Sequence, residues 1–220
     1  NVLVDTGVGT KSTEKVKEAY GIGSGKLLRS LKGIGLSARD IHIVVLTHLH
    51  FDHAGGCTKL DRSGFPIPTF PSASYYVQRE AWEEAINPDE RSKGSYNPDD
   101  FIPLEKHGHL HFLEGDTEIV PSVWVKMTGG HSRGHQMVYV HHGGERVAFL
   151  GDLVPTPHHL KLPYITALDR APADTLESKR VILGQAEKEG WLLLFPHGNT
   201  DRAGYLERRD GVLNFRVVEL

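Results

Sequence analysis

The sequence has little cysteine, little excess charge and no apolar run long enough to cross a membrane. Its single cysteine, Cys57, excludes an internal disulfide and favours a reducing compartment. A formal net charge of -3 leaves no basic excess, which argues against a protein that binds nucleic acid. No signal peptide is visible, so we expect a cytoplasmic protein that does not bind membranes. A signal removed from a longer chain is still compatible with this sequence.

The rest of the composition is that of an ordinary globular protein, with 39% hydrophobic and 24% charged residues. A length of 220 residues fits one domain with a substantial core, and we expect a single domain over residues 1–220. The chain opens on Asn1–Gly7, which reads as a strand from inside a fold. We therefore expect one or more N-terminal strands to be missing upstream of Asn1.

Strand and helix patterns alternate along the whole chain. Strands dominate between Leu110 and Leu150, and the clearest helix is Asp174–Glu189, with Asp174 and Glu177 as a capping pair. Two β-rich halves with flanking helices predict an α/β protein in which sheet packs on sheet with helices outside. We also predict helices at Ser12–Tyr20, capped by Ser12 or Thr13, at Lys26–Leu31 and at Gln78–Ile86, and a turn capped by Ser37.

The densest group of metal-binding side chains follows a short apolar strand. The strand Ile41–Leu46 leads into Thr47–Gly56, which reads T-H-L-H-F-D-H-A-G-G. Two glycines at the end of this run allow a sharp turn, so several nitrogen and oxygen donors can point at one place. Zinc takes that mixture of donors readily. The candidate ligands in this run are His48, His50, Asp52 and His53.

The same pattern of apolar strand, tight turn and metal-type ligand recurs three times downstream. His131 lies in a glycine-punctuated turn, with His135 four residues later. Asp152 follows the apolar run 146–151, and His197 follows Trp191–Pro196. We therefore expect these later residues to complete the site that the first run begins.

Other histidines and glycines carry weaker signals. His42 lies inside the predicted strand, and we expect it to be structural. The alternation in His107–His111 favours an exposed strand over a metal site. Gly21–Lys26 has glycines typical of a phosphate-binding loop but lacks the first glycine and the Ser/Thr of that motif, so we do not assign it that function.

The seven candidate ligands, in this order, resemble the H-x-H-x-D-H signature and later ligands of the metallo-β-lactamase-fold hydrolase superfamily, over nearly the whole chain. The resemblance implies an αββα sandwich of two mixed β-sheets flanked by helices. It also implies two Zn²⁺ ions per chain, with Mn, Co or Fe as other possible metals. By this resemblance His48, His50 and His131 hold one ion, Asp52, His53 and His197 hold the other, and Asp152 bridges both.

Within the superfamily, segments 75–82, 115–121 and 130–135 look like the N-acyl-homoserine lactonase and methyl parathion hydrolase branch. Asp152 stands where the main zinc β-lactamases carry cysteine, which disfavours β-lactam hydrolysis. No room remains after His197 for the helical substrate domain of glyoxalase II. Lactonases of this branch often carry a tyrosine three residues after the bridging aspartate, and this chain departs from them with Pro155.

The resemblance predicts a dinuclear zinc hydrolase that uses a metal-bridging hydroxide, most readily on a lactone or other small ester. Asp52 would also protonate the leaving group. The first alternative is a phosphotriesterase or arylesterase on the same metals. Further alternatives are a β-lactamase, a thioesterase like glyoxalase II, and a non-catalytic metal-binding protein, although structural zinc sites are usually closed and four-coordinate.

The partner that we expect is a small molecule, and a homodimer is compatible with the sequence. Phe51, His158 and His159 are the candidate residues of the substrate pocket, because they lie beside the metal ligands in sequence. Segment 86–103, rich in Asn, Asp, Pro and Ser, has little periodicity. It reads as an insertion that could cover the mouth of the site or form a dimer contact.

Overall fold

The computed structural model describes residues 1–23, 25–198 and 200–219. Its contacts divide the chain into two compact units, Asn1–Leu113 and Glu114–Leu220. The prediction of a single domain over residues 1–220 stays a prediction. No helix within the described ranges is long and apolar enough to cross a membrane.

The first unit is built on a parallel sheet of four strands. In order across the sheet these are β1 (Val2–Val4), β2 (Ile43–Val45), β5 (Ser74–Gln78) and β6 (Leu110–Leu113). A hairpin of β3 (Thr58–Leu60) and β4 (Pro66–Pro68) lies beside it in sequence. The helices are α1 (Glu14–Tyr20), α2 (Leu27–Gly33), α3 (Phe51–Ala54), α4 (Arg79–Ile86) and α5 (Ile102–Lys106).

The central strand β2 reads as an uninterrupted apolar run because a parallel strand between two neighbours buries both of its faces. Val44 and Val45 are fully buried. The core of this unit gathers buried residues of β2 and β5 together with residues of α2, α3, α4 and α5, while β1 and β6 contribute partly buried side chains that pack against it. Its largest members are Ile41, Leu46, Leu49, Phe70, Tyr75, Phe101 and Leu104.

Several local predictions for the first unit are confirmed. Thr13 caps α1, since its side-chain oxygen accepts from the Val16 N–H at 3.4 Å. Ser37 caps a 3₁₀ turn, Ala38–Asp40, in a capping box. In it the Ser37 N–H donates to the Asp40 carboxylate. The insertion forms two 3₁₀ turns, Lys93–Ser95 and Pro98–Asp100, before α5 begins.

The strand positions predicted for His42, His107 and His109 are wrong. His42 precedes β2 and is exposed, because the strand begins at Ile43, two residues after the predicted start at Ile41. His107 and His109 lie in the turn between α5 and β6, so that only His111 belongs to an exposed strand position. His109 Nδ1 lies 2.9 Å from the Ala73 carbonyl oxygen. In the glycine-rich run 21–26, Ser24 lies outside the described residues.

The second unit is built on a mixed sheet of seven strands. Every neighbouring pair of strands is antiparallel except Glu145–Phe149 and Leu192–Leu194, which run parallel. From one edge to the other the strands are β13 (Val212–Val217), β12 (Ala203–Arg209), β11 (Leu192–Leu194), β10 (Glu145–Phe149), β9 (Gln136–His142), β8 (Val123–Met127) and β7 (Thr117–Val120).

One long helix, α6 (Pro172–Glu189), packs on this sheet. Its buried residues recur at helical spacing and are Thr175, Lys179, Ile182, Leu183 and Ala186. The predicted start at Asp174 is wrong, because Pro172 occupies the first turn, where a proline is well tolerated. Asp174 therefore lies inside that turn, and the predicted capping pair does not form.

Tyr75 ties the sheet of the first unit to the turn that follows α3. Its side chain is fully buried, and its hydroxyl accepts from the Phe70 N–H at 3.1 Å and donates to the Cys57 carbonyl at 3.2 Å. Burial raises the pKa of this phenol far above its usual value, so it stays protonated.

Tyr75→Phe should lower the free energy of unfolding by about 1–3 kcal/mol, because it leaves the buried Phe70 N–H without this acceptor and removes one of the two donors to the Cys57 carbonyl. Urea denaturation measures this. The matched control is Tyr76→Phe on the same strand, where the side chain is only half-buried and we expect a change within about 0.5 kcal/mol. Equal effects of the two substitutions would contradict this account.

Candidate metal centre

Four of the predicted ligands lie together in the first unit, and we call them the first donor group: His48, His50, Asp52 and His53. The chain leaves β2 at Val45 and turns into α3, of which His50 is the N-cap. The ring centroids of His48 and His50 are 4.4 Å apart, and those of His48 and His53 are 4.3 Å apart. Asp52 Oδ2 lies 3.6 Å from His53 Nε2. One strand end and one helical turn therefore bring four donors together.

Asp5 fixes the orientation of this group. Its Oδ2 lies 2.7 Å from His53 Nδ1 and accepts from the Thr47 hydroxyl at 2.8 Å, while Oδ1 accepts from the Thr47 N–H at 2.8 Å. A carboxylate can only accept, so His53 carries its proton on Nδ1 and presents the lone pair of Nε2. That is the tautomer that a metal ligand needs.

Thr47 does the same for His48. Its hydroxyl proton goes to Asp5, so the oxygen can only accept from His48 Nδ1, which lies 3.0 Å away. His48 therefore also presents Nε2. The sequence analysis missed Asp5 and Thr47 as orienting groups, although Asp5 directly follows a strand, as the ligands do.

The two glycines of the motif are needed for a close approach of two chain segments. A Cβ at Gly55 would collide with the Val8 carbonyl, and a Cβ at Gly56 would collide with the Thr6 carbonyl. Their φ values need no left-handed backbone, since neither residue is among the glycines with positive φ. The segment after Asp5 therefore runs directly against the turn that carries the donors.

The other three predicted ligands lie together in the second unit, and we call His131, Asp152 and His197 the second donor group. Asp152 Oδ2 lies 3.2 Å from His131 Nε2, and its Oδ1 lies 3.1 Å from His197 Nε2. Each carboxylate oxygen thus faces a different imidazole. Asp152 and His131 are buried, while the His197 side chain is 38% exposed.

Asp169 orients His131 as Asp5 orients His53. Its Oδ1 lies 3.0 Å from His131 Nδ1 and accepts from the Thr166 hydroxyl. Burial alone would raise the pKa of Asp169, but hydrogen bonds from His131, Thr166 and Thr175 outweigh it and hold this pKa below its usual value. Asp169 is therefore ionised, and it favours the His131 tautomer with Nε2 turned to Asp152. The sequence analysis missed Asp169, which lies in irregular chain far from the motif.

His135 positions the backbone of Asp152. The Asp152 N–H donates to His135 Nε2 at 2.9 Å, so the proton of this ring is on Nδ1, which donates to the Thr128 hydroxyl at 2.6 Å. The ring is fully buried. His135 is therefore not one of the predicted ligands, although it lies close to His131 in sequence. It fixes the turn that carries Asp152 by accepting from the backbone N–H of Asp152.

A cavity of about 370 Å³ lies beside the first donor group within the first unit. Phe51, a predicted pocket residue, lines it with Tyr20 and Tyr96. The rings of Phe51 and Tyr20 meet edge to face at 5.6 Å, and the Tyr96 ring lies 4.9 Å from that of His50. Tyr96 comes from the 86–103 insertion, which thus forms a wall of this cavity. Sequence reasoning found neither tyrosine.

A buried ion pair holds the insertion in place. Lys11 Nζ lies 2.9 Å from Asp100 Oδ1, and the two side chains are 5% and 3% exposed. Lys11 also donates to the carbonyls of Gly55 and Thr58, at 2.5 and 2.8 Å. Burial raises the pKa of Asp100, and the charge of Lys11 opposes that shift. The insertion is therefore anchored to the turn that follows α3.

The other two predicted pocket residues lie on a 3₁₀ turn of the second unit, Pro157–Leu160. His158 is exposed, and His159 is partly buried with Nδ1 2.9 Å from the Thr156 hydroxyl. Burial, with the charge of Lys179, lowers the pKa of His159. A role for these two histidines in a pocket stays a prediction.

The family model that matches this chain is that of the metallo-β-lactamase superfamily, and it covers residues 1–197. The chain belongs to the metallo-β-lactamase superfamily. A probable metal-dependent hydrolase from Staphylococcus aureus superposes with a TM-score of 0.89 at 28% identity, over all of this chain and 78% of that one. The predicted fold is confirmed. The mixed sheet is found in the second unit, while the described strands of the first unit's sheet run parallel.

The relatives also include lactonases. An N-acyl homoserine lactonase of Bacillus thuringiensis is 33% identical over 115 residues, which are 52% of this chain and 39% of that enzyme. The N-acyl homoserine lactonase AttM of Rhizobium radiobacter is 29% identical over 175 residues, 76% of this chain and 62% of AttM. The chain thus matches less than two thirds of the length of either relative.

A solved N-acyl homoserine lactone hydrolase, with N-hexanoyl-L-homoserine at its catalytic metal centre, has a TM-score of 0.67 at 26% identity, over 90% of this chain and 76% of that one. The dizinc quorum-quenching lactonase AidC, with a TM-score of 0.81 at 20% identity, supports the fold only. The match covers all of this chain and 76% of AidC. The predicted resemblance to the lactonase branch is confirmed by these relatives.

The residues of both donor groups fit divalent metal ions. Imidazole and carboxylate are the ligands that zinc and similar ions take, and three of the imidazoles have Nδ1 directed to an oxygen acceptor, which turns Nε2 toward the donor groups.

Asp5→Asn should lower the affinity for zinc about 10–100-fold, because an amide has one acceptor oxygen where the carboxylate has two and cannot accept from the His53 Nδ1–H, the Thr47 hydroxyl and the Thr47 N–H together. Competition with a chromogenic chelator measures this affinity. Asp61→Asn is the matched control, since Asp61 is exposed and accepts only from nearby backbone N–H groups in its loop. Wild-type affinity in folded Asp5→Asn would show that Asp5 does not orient His53.

Proposed function

We propose that the two donor groups together bind two zinc ions and that the chain hydrolyses a lactone or another small ester. The observation that carries the proposal is Asp152, with a different imidazole at each carboxylate oxygen. A carboxylate in this arrangement has the donor geometry that a bridging ligand needs. The family model also runs through both donor groups.

The assignment follows the family order of ligands. His48, His50 and His131 would hold one ion, Asp52, His53 and His197 would hold the other, and Asp152 would be shared. Bound divalent ions supply Lewis acidity, which polarises a carbonyl or phosphoryl oxygen and lowers the pKa of water from about 15.7 to about 7. Mn, Co and Fe are compatible with the same donors.

Asp52 is the proton donor that we assign to the leaving group. It lies in the first turn of α3, and its side chain is 31% exposed, whereas the neighbouring His53 is buried. One of its oxygens faces His53 Nε2 at 3.6 Å. Its partial exposure leaves room for the second oxygen to meet a substrate. Asp52 would take a proton from the attacking water and pass it to the departing alkoxide oxygen, which leaves the carboxylate ionised again.

Cys57 is not a nucleophile in this proposal. Its side chain is fully buried, and burial raises its pKa to about 12, so the thiol stays protonated at neutral pH. The sulfur lies 3.4 Å from the Thr6 hydroxyl. Water is therefore the attacking group, and no acyl-enzyme forms.

The substrate class follows from the cavity in the first unit. Aromatic rings of Tyr20, Phe51 and Tyr96 line it, and a volume of about 370 Å³ suits a small molecule with an apolar part. N-acyl homoserine lactones, on which the named relatives act, have such an apolar acyl chain. We propose that this cavity receives it.

The second candidate is a phosphotriesterase or arylesterase on the same ions. One observation favours it: Pro155 is buried at the position where related lactonases often carry a substrate-contacting tyrosine, and its carbonyl accepts from the His197 N–H at 3.0 Å. A phenol that would hold a lactone ring is therefore missing at this position.

His50→Ala should lose most hydrolytic activity together with zinc content, since one donor of the first group is removed. Elemental analysis after zinc saturation, beside a panel of lactones, phosphotriesters and β-lactams, measures both. His107→Ala is the control, because His107 is exposed in the turn after α5. Two zinc ions per chain and lactone turnover are expected of the wild type. At most one ion, or full activity in His50→Ala, would contradict the proposal.

Specificity constants for N-acyl lactones should rise several-fold per added methylene until the cavity is full. Burying one CH₂ contributes about 0.8 kcal/mol, which is roughly fourfold in kcat/KM. A chain-length series measures this trend, and Phe51→Ala should flatten it. No trend with length, alongside faster turnover of phosphotriesters, would favour the second candidate.

A further inference from the structure

Lys179 is a buried lysine whose ammonium binds three backbone carbonyls of one loop. It lies in α6 and has no exposed surface. Its Nζ donates to the carbonyls of Lys161 at 2.9 Å, Leu162 at 3.2 Å and Tyr164 at 2.7 Å. An ammonium has three N–H groups, so each of them has an acceptor.

Burying this charge is unfavourable by itself. Burial lowers the pKa of Lys179 to about 8, and the negative charge of Asp169 opposes the shift. An apolar residue on the inner face of α6 would avoid that cost but would remove a donor from all three carbonyls, of which the Lys161 carbonyl also accepts from the Tyr164 N–H. The lysine is therefore needed for the loop that it holds.

That loop belongs to residues 154–171, which we call the donor-linking segment. The structure describes all of these residues, and they form one 3₁₀ turn, Pro157–Leu160, within otherwise irregular chain. Irregular backbone cannot satisfy its own carbonyls as a helix or a sheet does. The ammonium of Lys179 supplies donors near the middle of the segment.

The donor-linking segment contacts both histidines of the second donor group. It begins two residues after Asp152. At its near end, the Pro155 carbonyl accepts from the His197 N–H at 3.0 Å. At its far end, Asp169 Oδ1 lies 3.0 Å from His131 Nδ1, and the Arg170 N–H donates to the His131 carbonyl at 3.1 Å.

The helix that carries Lys179 is itself fixed to the turn that carries His131. The Ser178 hydroxyl donates to the Thr128 carbonyl at 2.8 Å. Thr175 packs so closely on Gly130 that a Cβ there would collide with its backbone and side chain. One face of α6 therefore contacts both the turn of His131 and the segment that orients it.

We propose that Lys179 is a positioning residue of the second donor group. By holding the donor-linking segment on α6, it keeps Asp169 and Pro155 where they orient His131 and His197 on the two oxygens of Asp152. The consequence for metal affinity rests on the proposed function, whereas the ordering of the segment does not.

The test is Lys179→Met, which keeps the length and apolar stem of the side chain but removes its three donors. Lys188→Met, the same substitution at an exposed position of α6, is the matched control. Two quantities are measured on folded protein: zinc affinity by competition with a chromogenic chelator, and amide hydrogen exchange over residues 156–169. Neither requires a substrate.

We expect zinc affinity to fall about tenfold or more in Lys179→Met, as for other losses of ligand-orienting groups, with faster exchange over residues 156–169. Exchange in β9 and β10 should be unchanged, and Lys188→Met should match the wild type in both measurements. A variant that is less stable but binds zinc with wild-type affinity when folded would overturn the proposal, since that is a purely structural effect.

Lys179→Gln, which keeps two N–H donors, decides the matter if Lys179→Met does not fold. At least a threefold loss of zinc affinity with faster exchange over residues 156–169 is expected. Wild-type affinity and wild-type exchange in this variant would overturn the proposal. If the wild type binds zinc but hydrolyses no lactone, the substrate assignment fails while these measurements still decide the role of Lys179.

Discussion

The candidate metal centre depends on hydrogen bonds that fix the Nδ1 atoms of its histidines. Asp5 lies 48 residues from His53, and Asp169 lies 38 residues from His131, yet each carboxylate is within hydrogen-bond distance of its ring. An imidazole whose Nδ1 donates to a carboxylate has one tautomer and one orientation, so its Nε2 is available to a metal. The positions of His53 and His131 therefore depend on parts of the fold that carry none of the predicted ligands.

The first of these carboxylates is placed by strand pairing. Val4 of β1 pairs with Val45 of β2, and the Asp5 N–H donates to the Val45 carbonyl at 2.9 Å. That register sets Asp5 beside Thr47, at the same edge of the sheet where the first donor group begins. The glycines at 55 and 56 then allow the segment that follows Asp5 to run against the turn that follows α3. The register of β1 on β2 and the absence of side chains at Gly55 and Gly56 thus set the position of Asp5 and, through it, the orientation of the His53 ring.

Two buried lysines stabilise the irregular segments beside the donors. Lys11 binds the Gly55 and Thr58 carbonyls and pairs with Asp100 of the insertion, while Lys179 binds three carbonyls of the donor-linking segment. Irregular chain leaves carbonyls without partners, and a buried ammonium supplies up to three donors at one point. In each unit, a buried lysine therefore donates hydrogen bonds to the carbonyls of an irregular loop, as the N–H groups of a neighbouring strand do within a sheet.

The sequence by itself determined the fold family and predicted the seven candidate donors, because metal-type residues at strand ends and the spacing of H-x-H-x-D-H are local features of the chain. It also determined most helices, although α6 begins at Pro172 rather than Asp174 and His42 precedes its strand. Only the tertiary structure decided that Asp5, Thr47, Asp169 and His135 orient the donors and that Tyr96 and Lys179 support the site. These are common polar residues with no motif, and what distinguishes them is a contact with a residue distant in sequence, which strand register and helix packing create.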